Sequence, residues 1–429
     1  MSILVVGLNH RTSPIALLER LTIADEDLPK ALHQLCNSEH VLEGALLSTC
    51  NRIEVYAVAS KFHAGSLDLR NFLSEFCHVA PEEFSDRIYT YHDDAAVRHL
   101  FRVAAGIDSM VIGESEILGQ VRRAYQVASA EASIQRTLGN AFRRALRVGK
   151  RARSETSIGR DPVSVSSTAI NLASRTVPSL DTRSVAIVGA GKTGQLAARA
   201  LDEAGVKNVT LVNRSSRRAD EVAAISDAVI RPWEDLGPVL AASDVVISCT
   251  GAQSPVIDSA LVADAIEKRP ARPLYVIDIA VPRDVSPDVA ALDGVTLYDL
   301  DDIRDVAGAP VTHRQADVDR IEEIVEQELA HWMDSERSNE LAPTVAELVA
   351  RADEIRQAEF ERWRARAKPT EAEANAVDAL SRRLIAKLLH GPVKKAKKLP
   401  SSKQGYLYLS ALRELFDLSD DDDLDVADD

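Results

Sequence analysis

One cysteine of this sequence lies where a nucleophile could work. Cys50 belongs to the polar segment Ser48-Thr49-Cys50-Asn51-Arg52, between two stretches (44–48 and 52–59) that are typical of β-strands. A side chain in such a break can reach solvent, and the neighbouring Arg52 would favour the thiolate, the reactive form of cysteine. The other three cysteines lie among apolar residues, with no CxxC spacing, which indicates neither a disulfide framework nor a zinc site.

A glycine-rich segment offers a second kind of chemistry. The motif GxGxxG spans residues 189–194, directly after the apolar strand predicted at 185–188 and before the helix predicted at 195–203. Strand, glycine turn and helix in this order predict a dinucleotide site, with the pyrophosphate at the helix N-terminus. A P-loop is excluded because Ala186 stands where its first glycine is required. The expected loop contacts are Gly189, Ala190, Gly191, Lys192, Thr193 and Gly194.

The residues after the next strand (209–212) favour NADPH as the cofactor. An NAD-binding fold places an acid about 20 residues after the glycine motif, to bind the ribose 2′-hydroxyl. This chain has no acid there and several cations, of which Arg214 and Arg218 suit a 2′-phosphate best. We expect contacts from Asn213, Arg214, Ser215 and Arg218. A thiolate beside an NADPH domain predicts acyl transfer to sulfur, followed by hydride reduction of the thioester to an aldehyde.

The elements that must position these residues fall into three regions. The first follows the order strand, helix, strand, strand, helix, strand of a ferredoxin-like α+β unit, with one helix expected at 15–36. The second alternates strands and helices and predicts a Rossmann fold with a parallel sheet. The third contains long charged helices, expected at 316–332, 344–367 and 372–389, that can pack against a second copy. The predicted boundaries are 1–155, 156–300 and 301–416, with a disordered acidic tail at 417–429.

Composition and charge limit the class of protein. The 429 residues are 45% hydrophobic and 27% charged, which is typical of a multidomain globular protein. The sequence lacks a signal peptide and a long apolar run, so we expect a cytoplasmic protein. The net charge of −15 argues at first against a nucleic-acid partner, but eight aspartates lie within 417–429 and the rest carries −7. The remaining acid excess suggests a high-salt cytoplasm, as in a halophilic archaeon.

Six segments together resemble those of glutamyl-tRNA reductases. Their order and spacing match that family over nearly the whole chain; they are residues 7–14, 48–56, 106–122, 164–167, 189–194 and 278–284. The resemblance implies NADPH-dependent reduction of glutamyl-tRNA to glutamate-1-semialdehyde, the entry to tetrapyrrole (porphyrin) synthesis by the five-carbon route. It also implies a catalytic and tRNA-recognising N-terminal domain, a homodimer formed by the C-terminal helices, and transfer of the aldehyde to glutamate-1-semialdehyde aminomutase.

The resemblance also assigns roles to individual residues. Cys50 is implied as the nucleophile that forms a glutamyl thioester, and His99 as a residue that transfers a proton or orients the substrate. Arg52 is the natural partner of a glutamate carboxylate, because its planar fork can bind both oxygens, and an acid could receive the α-ammonium. The implied substrate-binding residues are Thr49, Asn51, Arg52, Ser109, Glu114, Ser115, Glu116 and Gln120.

Simpler interpretations of these residues stay open. Without the resemblance, His99 fits an exposed helix residue, Ser109 fits a helix N-cap, and Glu114 and Glu116 fit acids at a helix start. Two basic clusters are candidates for tRNA contact or for solvated faces. They comprise Arg143, Arg144, Arg147, Lys150, Arg151 and Arg153, and then Lys394, Lys395, Lys397 and Lys398. The alternative functions are a tRNA-independent NADP dehydrogenase of the shikimate type, which leaves Cys50 unexplained, and a dinucleotide-sensing scaffold.

Overall fold

The computed structural model describes residues 2–114, 116–159, 164–252, 254–269, 272–307, 315–396, 403–416 and 418. The chain divides into two compact units, Met1–Leu329 and Ala330–Asp429. Among the described residues, no helix combines the length and the apolar character needed to cross a bilayer.

The first unit begins with a four-stranded antiparallel sheet. The strands lie in the order β2-β3-β1-β4, which is the ferredoxin-like arrangement that the sequence predicts. Strand β3 is central and entirely buried, so the turn at its start is held firmly by the sheet. The elements are β1 Ser2–Asn9, α1 Ile15–Leu21, α2 Leu28–Cys36, β2 Val41–Ser48, β3 Arg52–Ala59, α3 Phe62–Cys77, α4 Pro81–Phe84 and β4 Tyr89–His92.

The prediction of a single helix at 15–36 is wrong. Helix α1 ends at Leu21, and α2 starts only at Leu28, with Pro29 in its first turn. Proline is accepted at the start of a helix and breaks its interior, so Pro29 forces a new helix to begin there. The connection is fixed to the sheet by the Ile23 N–H, which donates to Ser48 Oγ (2.9 Å).

Three further helices complete the N-terminal part: α5 Asp93–Ala105, α6 Ile117–Ala130 and α7 Arg136–Glu155. Helices α5 and α7 approach closely at Gly149, where an added Cβ would lie 2.5 Å from the Ala104 carbonyl oxygen. The buried carboxylate of Glu43 accepts the N–H groups of Gln135 and Leu138 (both 2.9 Å) and so caps the start of α7.

The second part of this unit is a six-stranded parallel sheet with helices on both faces. Its order, β10-β9-β8-β5-β6-β7, is that of a Rossmann fold, and the order reverses between β5 and β8. The predicted fold class is thus confirmed. The elements are α8 Val165–Thr176, β5 Ser184–Val188, α9 Lys192–Glu203, β6 Asn208–Val212, α10 Ser216–Ser226, β7 Val229–Arg231, α11 Leu236–Ala242, β8 Val245–Ser248, α12 Ser259–Glu267, β9 Leu274–Asp278, β10 Val295–Tyr298 and α13 Leu300–Ala307.

The two parts of the first unit share a hydrophobic core. Ile15, Met110 and Val111 of the N-terminal part belong to the same buried cluster as Ala190 and Ala197 of the parallel sheet and its helices. Burial of apolar surface between them fixes the ferredoxin-like part against the dinucleotide fold.

The last helices are α14 Gln315–Ala367, α15 Glu371–Ala396 and α16 Lys403–Phe416. Helix α14 is continuous, so the division into helices at 316–332 and 344–367 is wrong, and Pro343 lies inside the helix. Within the second unit, Leu348, Ala352 and Leu389 belong to a small core. Leu380, Leu384 and Leu388 of α15 are exposed at helical spacing, as expected for a face that packs on another chain. The predicted tail, apart from Leu418, lies outside the described residues.

Candidate active site

The turn between β2 and β3 presents Cys50 at the edge of the ferredoxin-like sheet. Thr49 Oγ1 accepts the N–H groups of Asn51 (3.2 Å) and Arg52 (3.1 Å), which closes the turn around the cysteine. The Asn51 carbonyl oxygen accepts the N–H of His10 (2.9 Å) from the end of β1. Asn51 itself is buried, and its Oδ1 has no hydrogen-bond partner among the described residues, which is unusual for a buried acceptor.

The surroundings of Cys50 favour the thiol over the thiolate expected beside Arg52. Part of the residue's surface is exposed, but protein atoms surround most of its side chain. Burial and the carboxylates of Glu114 and Glu116 raise the pKa of Cys50 to about 12, and Arg52 opposes this only in part. Arg52 thus favours the thiolate as expected, but burial and the two carboxylates outweigh it. The effect of both carboxylates on the pKa of Cys50 indicates that Glu114 and Glu116 lie near the sulfur, as expected for residues of one substrate site.

Arg52 is not exposed to a ligand. Its side chain is only 1% exposed; Nη1 donates to Glu54 (2.7 Å), and Nη2 donates to the carboxylate (3.1 Å) and the carbonyl oxygen (2.6 Å) of Asp108. The direct contact predicted between Arg52 and a substrate carboxylate is not made by this arrangement. Arg52 instead fastens the segment that carries Ser109 and Glu114 to the cysteine turn.

Glu54 is the centre of a buried network that the sequence interpretation missed. Its carboxylate accepts hydrogen bonds from Arg52, Tyr56 (2.6 Å) and Tyr89, and Oε1 lies 2.7 Å from His99 Nε2. Burial acts to raise the pKa of Glu54, but Arg52 and His99 outweigh it and hold the pKa well below its usual range. A signal was present: Arg52 and Glu54 are charged residues at alternate positions of an otherwise apolar strand, so they share one face.

His99 is buried rather than exposed, which rules out the simpler interpretation. It is only 7% exposed, on the inner face of α5, and its ring packs against those of Tyr89 and Tyr91 (centroids 5.3 and 4.9 Å apart). Held by Glu54, the histidine is well suited to orient the site, one of the two roles that the resemblance implies.

The second predicted substrate segment lies beside Cys50. Glu114 is buried, and burial together with the charge of Glu116 raises its pKa to about 7. Ser109 is buried nearby and acts on Glu114 in the opposite direction. Glu116 is the N-cap of α6, and its carbonyl oxygen accepts the N–H of Gln120 (3.0 Å) in the first helical turn. Ser115 lies outside the described residues.

The glycine-rich loop has the geometry of a dinucleotide site. Gly189 has φ +112° and approaches the Cys249 carbonyl oxygen, to which an added Cβ would lie 2.8 Å. A Cβ on Gly194 would lie 2.2 Å from the Gly189 oxygen, whereas one on Gly191 meets nothing within 4 Å. The first and third glycines are thus needed for packing, and the second faces open space where a pyrophosphate can approach.

A cleft of about 260 Å³ opens beside this loop and contains the second group of predicted cofactor residues. Asn213 braces it: Oδ1 accepts the Ala190 N–H (3.1 Å), and Nδ2 donates to the Ser215 oxygen (2.8 Å). Arg214 is exposed with its guanidinium 4.8 Å from the centroid of the Trp233 ring, so a cation is poised at the rim for a 2′-phosphate. The residues present fit NADPH. The Arg218 side chain lies outside the described part.

Two loop residues make other contacts than expected. Lys192 does not line the cleft; its Nζ lies 3.3 Å from Glu116 Oε1 of the substrate segment. The Thr193 carbonyl oxygen accepts the hydroxyl of Ser166 on α8 (3.2 Å). Both residues lie in the first turn of α9, which begins at Lys192 and not at 195 as the sequence predicts.

The predicted basic face of α7 separates into two sets. Arg144 and Arg151 form ion pairs with Glu328 (3.2 and 3.1 Å), and Arg153 donates to backbone carbonyl groups, so these three are structural. Three cations remain exposed without an ion pair among the described residues: Arg143, Arg147 and Lys150. In the second cluster Lys394 and Lys395 are exposed at the end of α15, and Lys397 and Lys398 lie outside the described residues.

Comparison with known protein families agrees with this geometry. Residues 6–156 match the model of the glutamyl-tRNA(Glu) reductase N-terminal domain, and residues 320–418 match that of the glutamyl-tRNA(Glu) reductase dimerisation domain. Residues 171–306, between them, match the model of shikimate/quinate 5-dehydrogenase.

Individual relatives match over almost the whole chain. Glutamyl-tRNA reductase of Frankia casuarinae is 39% identical, and the match covers 97% of this chain and 96% of that protein. The enzyme of Salinispora tropica is 42% identical, with coverage of 97% and 92%. The solved structure of glutamyl-tRNA reductase from Methanopyrus kandleri is 33% identical, with coverage of 97% and 99% and a TM-score of 0.50. This chain belongs to the glutamyl-tRNA reductase family.

Proposed function

We propose that this chain reduces the glutamyl group of glutamyl-tRNA with NADPH to glutamate-1-semialdehyde and releases the tRNA, as the entry to tetrapyrrole synthesis. One observation carries the proposal beyond family membership. The ion pair between Glu116 of the substrate segment and Lys192 of the glycine-rich loop (3.3 Å) joins the catalytic part to the dinucleotide part, and the charge of Glu116 also acts on Cys50. A nucleophile and a hydride-donor site are thus joined within one compact unit.

The carboxylates beside Cys50 can couple substrate binding to activation of the thiol. Glu114 and Glu116 both raise the Cys50 pKa. The α-ammonium of a glutamyl group placed between them would offset this repulsion, so the thiolate becomes favourable when substrate is present. Glu114, with its pKa near 7, is suited to accept the thiol proton at neutral pH. Asn51 Oδ1, which has no hydrogen-bond partner among the described residues, would be a further acceptor for the ammonium.

The acyl transfer is balanced within these groups. The sulfur of Cys50 bonds to the ester carbonyl carbon, the bond from that carbon to the ribose oxygen breaks, and the thiol proton, first accepted by Glu114, passes to that oxygen. Glu54 holds Arg52 and His99 in place, so we assign His99 as a positioning residue in this step.

The dinucleotide site serves the second step. Gly191 and the N-terminus of α9 would hold the pyrophosphate of NADPH, and Arg214, supported by Trp233, would hold its 2′-phosphate. NADPH held there would supply a hydride to the carbonyl carbon of the thioester. Breaking of the carbon–sulfur bond would release the aldehyde, and the Cys50 thiolate would take up a proton from water.

The dimerisation domain supports a homodimer as the working form. A cytoplasmic location, the transfer of aldehyde to an aminomutase, and the domain boundaries at 155, 300 and 416 stay predictions.

The test is to incubate the full chain with glutamyl-tRNA and NADPH and to measure the semialdehyde. We expect Cys50→Ser to abolish product, because a serine hydroxyl is a far weaker nucleophile and cannot form a thioester. Cys77→Ser is the matched control, since Cys77 lies on α3, away from the cysteine turn, and its sulfur donates to the Leu21 carbonyl oxygen (3.4 Å).

Two results would contradict the proposal. Reduction of a small substrate without tRNA, independent of Cys50, would indicate the shikimate type of dehydrogenase. NADPH binding with no turnover of glutamyl-tRNA by the unaltered chain would indicate a sensing scaffold.

A further inference from the structure

Lys192 connects the two halves of the proposed site in an unexpected way. It is the first residue of α9, where a cation would ordinarily be assigned to the cofactor phosphates. Its Nζ instead lies 3.3 Å from Glu116 Oε1, and an added Cβ on Gly119 would be 3.9 Å from that nitrogen. The ammonium therefore lies over the first turn of α6, on the catalytic side of the loop.

The contact occurs where the loop meets the catalytic part. The next residue, Thr193, is held from α8 by Ser166, and Met110 and Val111 share the buried cluster of Ala190. Apolar burial brings the two parts together but is non-directional. A charged pair at the loop itself adds direction to that contact.

Glu116 is also one of the two carboxylates whose charge acts on Cys50. The ion pair with Lys192 thus ties the glycine-rich loop to a carboxylate that influences the sulfur. An acyl group on Cys50 has two fates: hydride transfer gives the aldehyde, and attack by water breaks the carbon–sulfur bond to give free glutamate and the thiol. The ratio of these fates depends on how accurately the loop is held against the thioester.

We propose that Lys192 is a positioning residue for the reductive step: its ion pair with Glu116 holds the glycine-rich loop in register with the substrate segment, so that the acyl group on Cys50 is reduced before water removes it. This inference rests on the proposed function. Because Lys192 is 65% exposed, its pair contributes little to folding, and its replacement leaves a folded protein.

The test measures both products from glutamyl-tRNA and NADPH with Lys192→Met and Lys192→Arg. We expect Lys192→Met to lower the ratio of semialdehyde to glutamate by about 10-fold or more, since small displacements of reacting groups cost rate steeply. Lys192→Arg keeps the charge and should recover most of the ratio. The matched control is Lys207→Met, because Lys207 forms a similar exposed pair on the same fold, with Asp202 (3.0 Å), away from the catalytic part.

A second measurement separates positioning from phosphate binding. The dissociation constant of NADPH is measured by fluorescence of its dihydronicotinamide ring, and we expect less than a threefold change in Lys192→Met. A ratio restored by saturating NADPH would make Lys192 a phosphate ligand, and an unchanged ratio would remove its role; either overturns the inference. If the unaltered chain forms neither product, the proposed function itself fails.

Discussion

The reactivity of Cys50 is set by charges that the protein places around it. Burial and two carboxylates raise the pKa of the sulfur, and a thiol reacts more slowly with oxidants and electrophiles than a thiolate does. The glutamyl substrate brings a cationic group in its α-ammonium. Selectivity for aminoacyl esters then follows from the same carboxylates that restrain the nucleophile.

This account predicts a pH-dependent effect of Glu114→Gln on alkylation of Cys50 by iodoacetamide. The Glu114 carboxyl has its pKa near 7, so at pH 6 it is mostly neutral and the variant should react at the rate of the unaltered protein. At pH 9 the carboxyl is charged and raises the thiol pKa, so its removal should speed alkylation about threefold to tenfold. Peptide mass spectrometry identifies the modified cysteine.

The control is Glu131→Gln, at the other end of α6. Its Cys50 should be alkylated at the same rate as in the unaltered protein at both values of pH. If Glu114→Gln speeds alkylation of Cys50 equally at pH 6 and pH 9, the substitution has loosened the fold and the removed charge is not the cause.

At this scale the sequence identifies the nucleophile but not its state. The position of Cys50 in a polar turn between strands is visible from residue types alone. Its raised pKa depends on burial and on Glu114 and Glu116, which are more than 60 residues away in the chain. Arg52 is likewise buried and forms ion pairs with Glu54 and Asp108. These contacts follow from tertiary packing, which a local sequence pattern does not contain.

The glycine-rich loop shows how one element divides its roles among three similar residues. Gly189 and Gly194 approach backbone atoms of their own fold, and Gly191 faces open space. The first pair therefore supports folding, and the middle glycine supports ligand approach.

Alanine substitutions should separate these roles. Gly194→Ala places a Cβ 2.2 Å from the Gly189 oxygen, so we expect it to lower the free energy of unfolding by about 1–3 kcal/mol. Gly191→Ala meets no protein atom within 4 Å and has φ −76°, so its stability should be unchanged while its affinity for NADPH falls. Thermal unfolding and NADPH titration measure the two effects; equal loss of stability in both variants would contradict the assignment.

Elements with strong local signals could be predicted, and those decided by context could not. The strand at 52–59 and the alternation of the Rossmann region follow from apolar runs and glycine turns. The break between α1 and α2 depends on one proline, and α14 continues through another, because packing and chain context decide whether a proline starts, breaks or merely interrupts a helix.

On the scale of the whole molecule, family membership confirms the predicted reductase with an NADPH-binding domain and a dimerisation domain. The net charge of −15 was a poor guide to an RNA partner, because the exposed cations of α7 form a local surface that a total cannot reveal. The suggestion of a halophilic source stays a prediction.

A glutamyl thioester on Cys50 that NADPH then reduces can be observed directly. The full chain is incubated with glutamyl-tRNA without NADPH, quenched in acid and digested, and the peptides are analysed by mass spectrometry before and after addition of NADPH to an unquenched sample. We expect a hydroxylamine-sensitive glutamyl adduct on the Cys50 peptide, and we expect it to disappear on addition of NADPH as the semialdehyde forms. Semialdehyde formed with no adduct on Cys50, or with the adduct on another residue, would contradict the thioester mechanism.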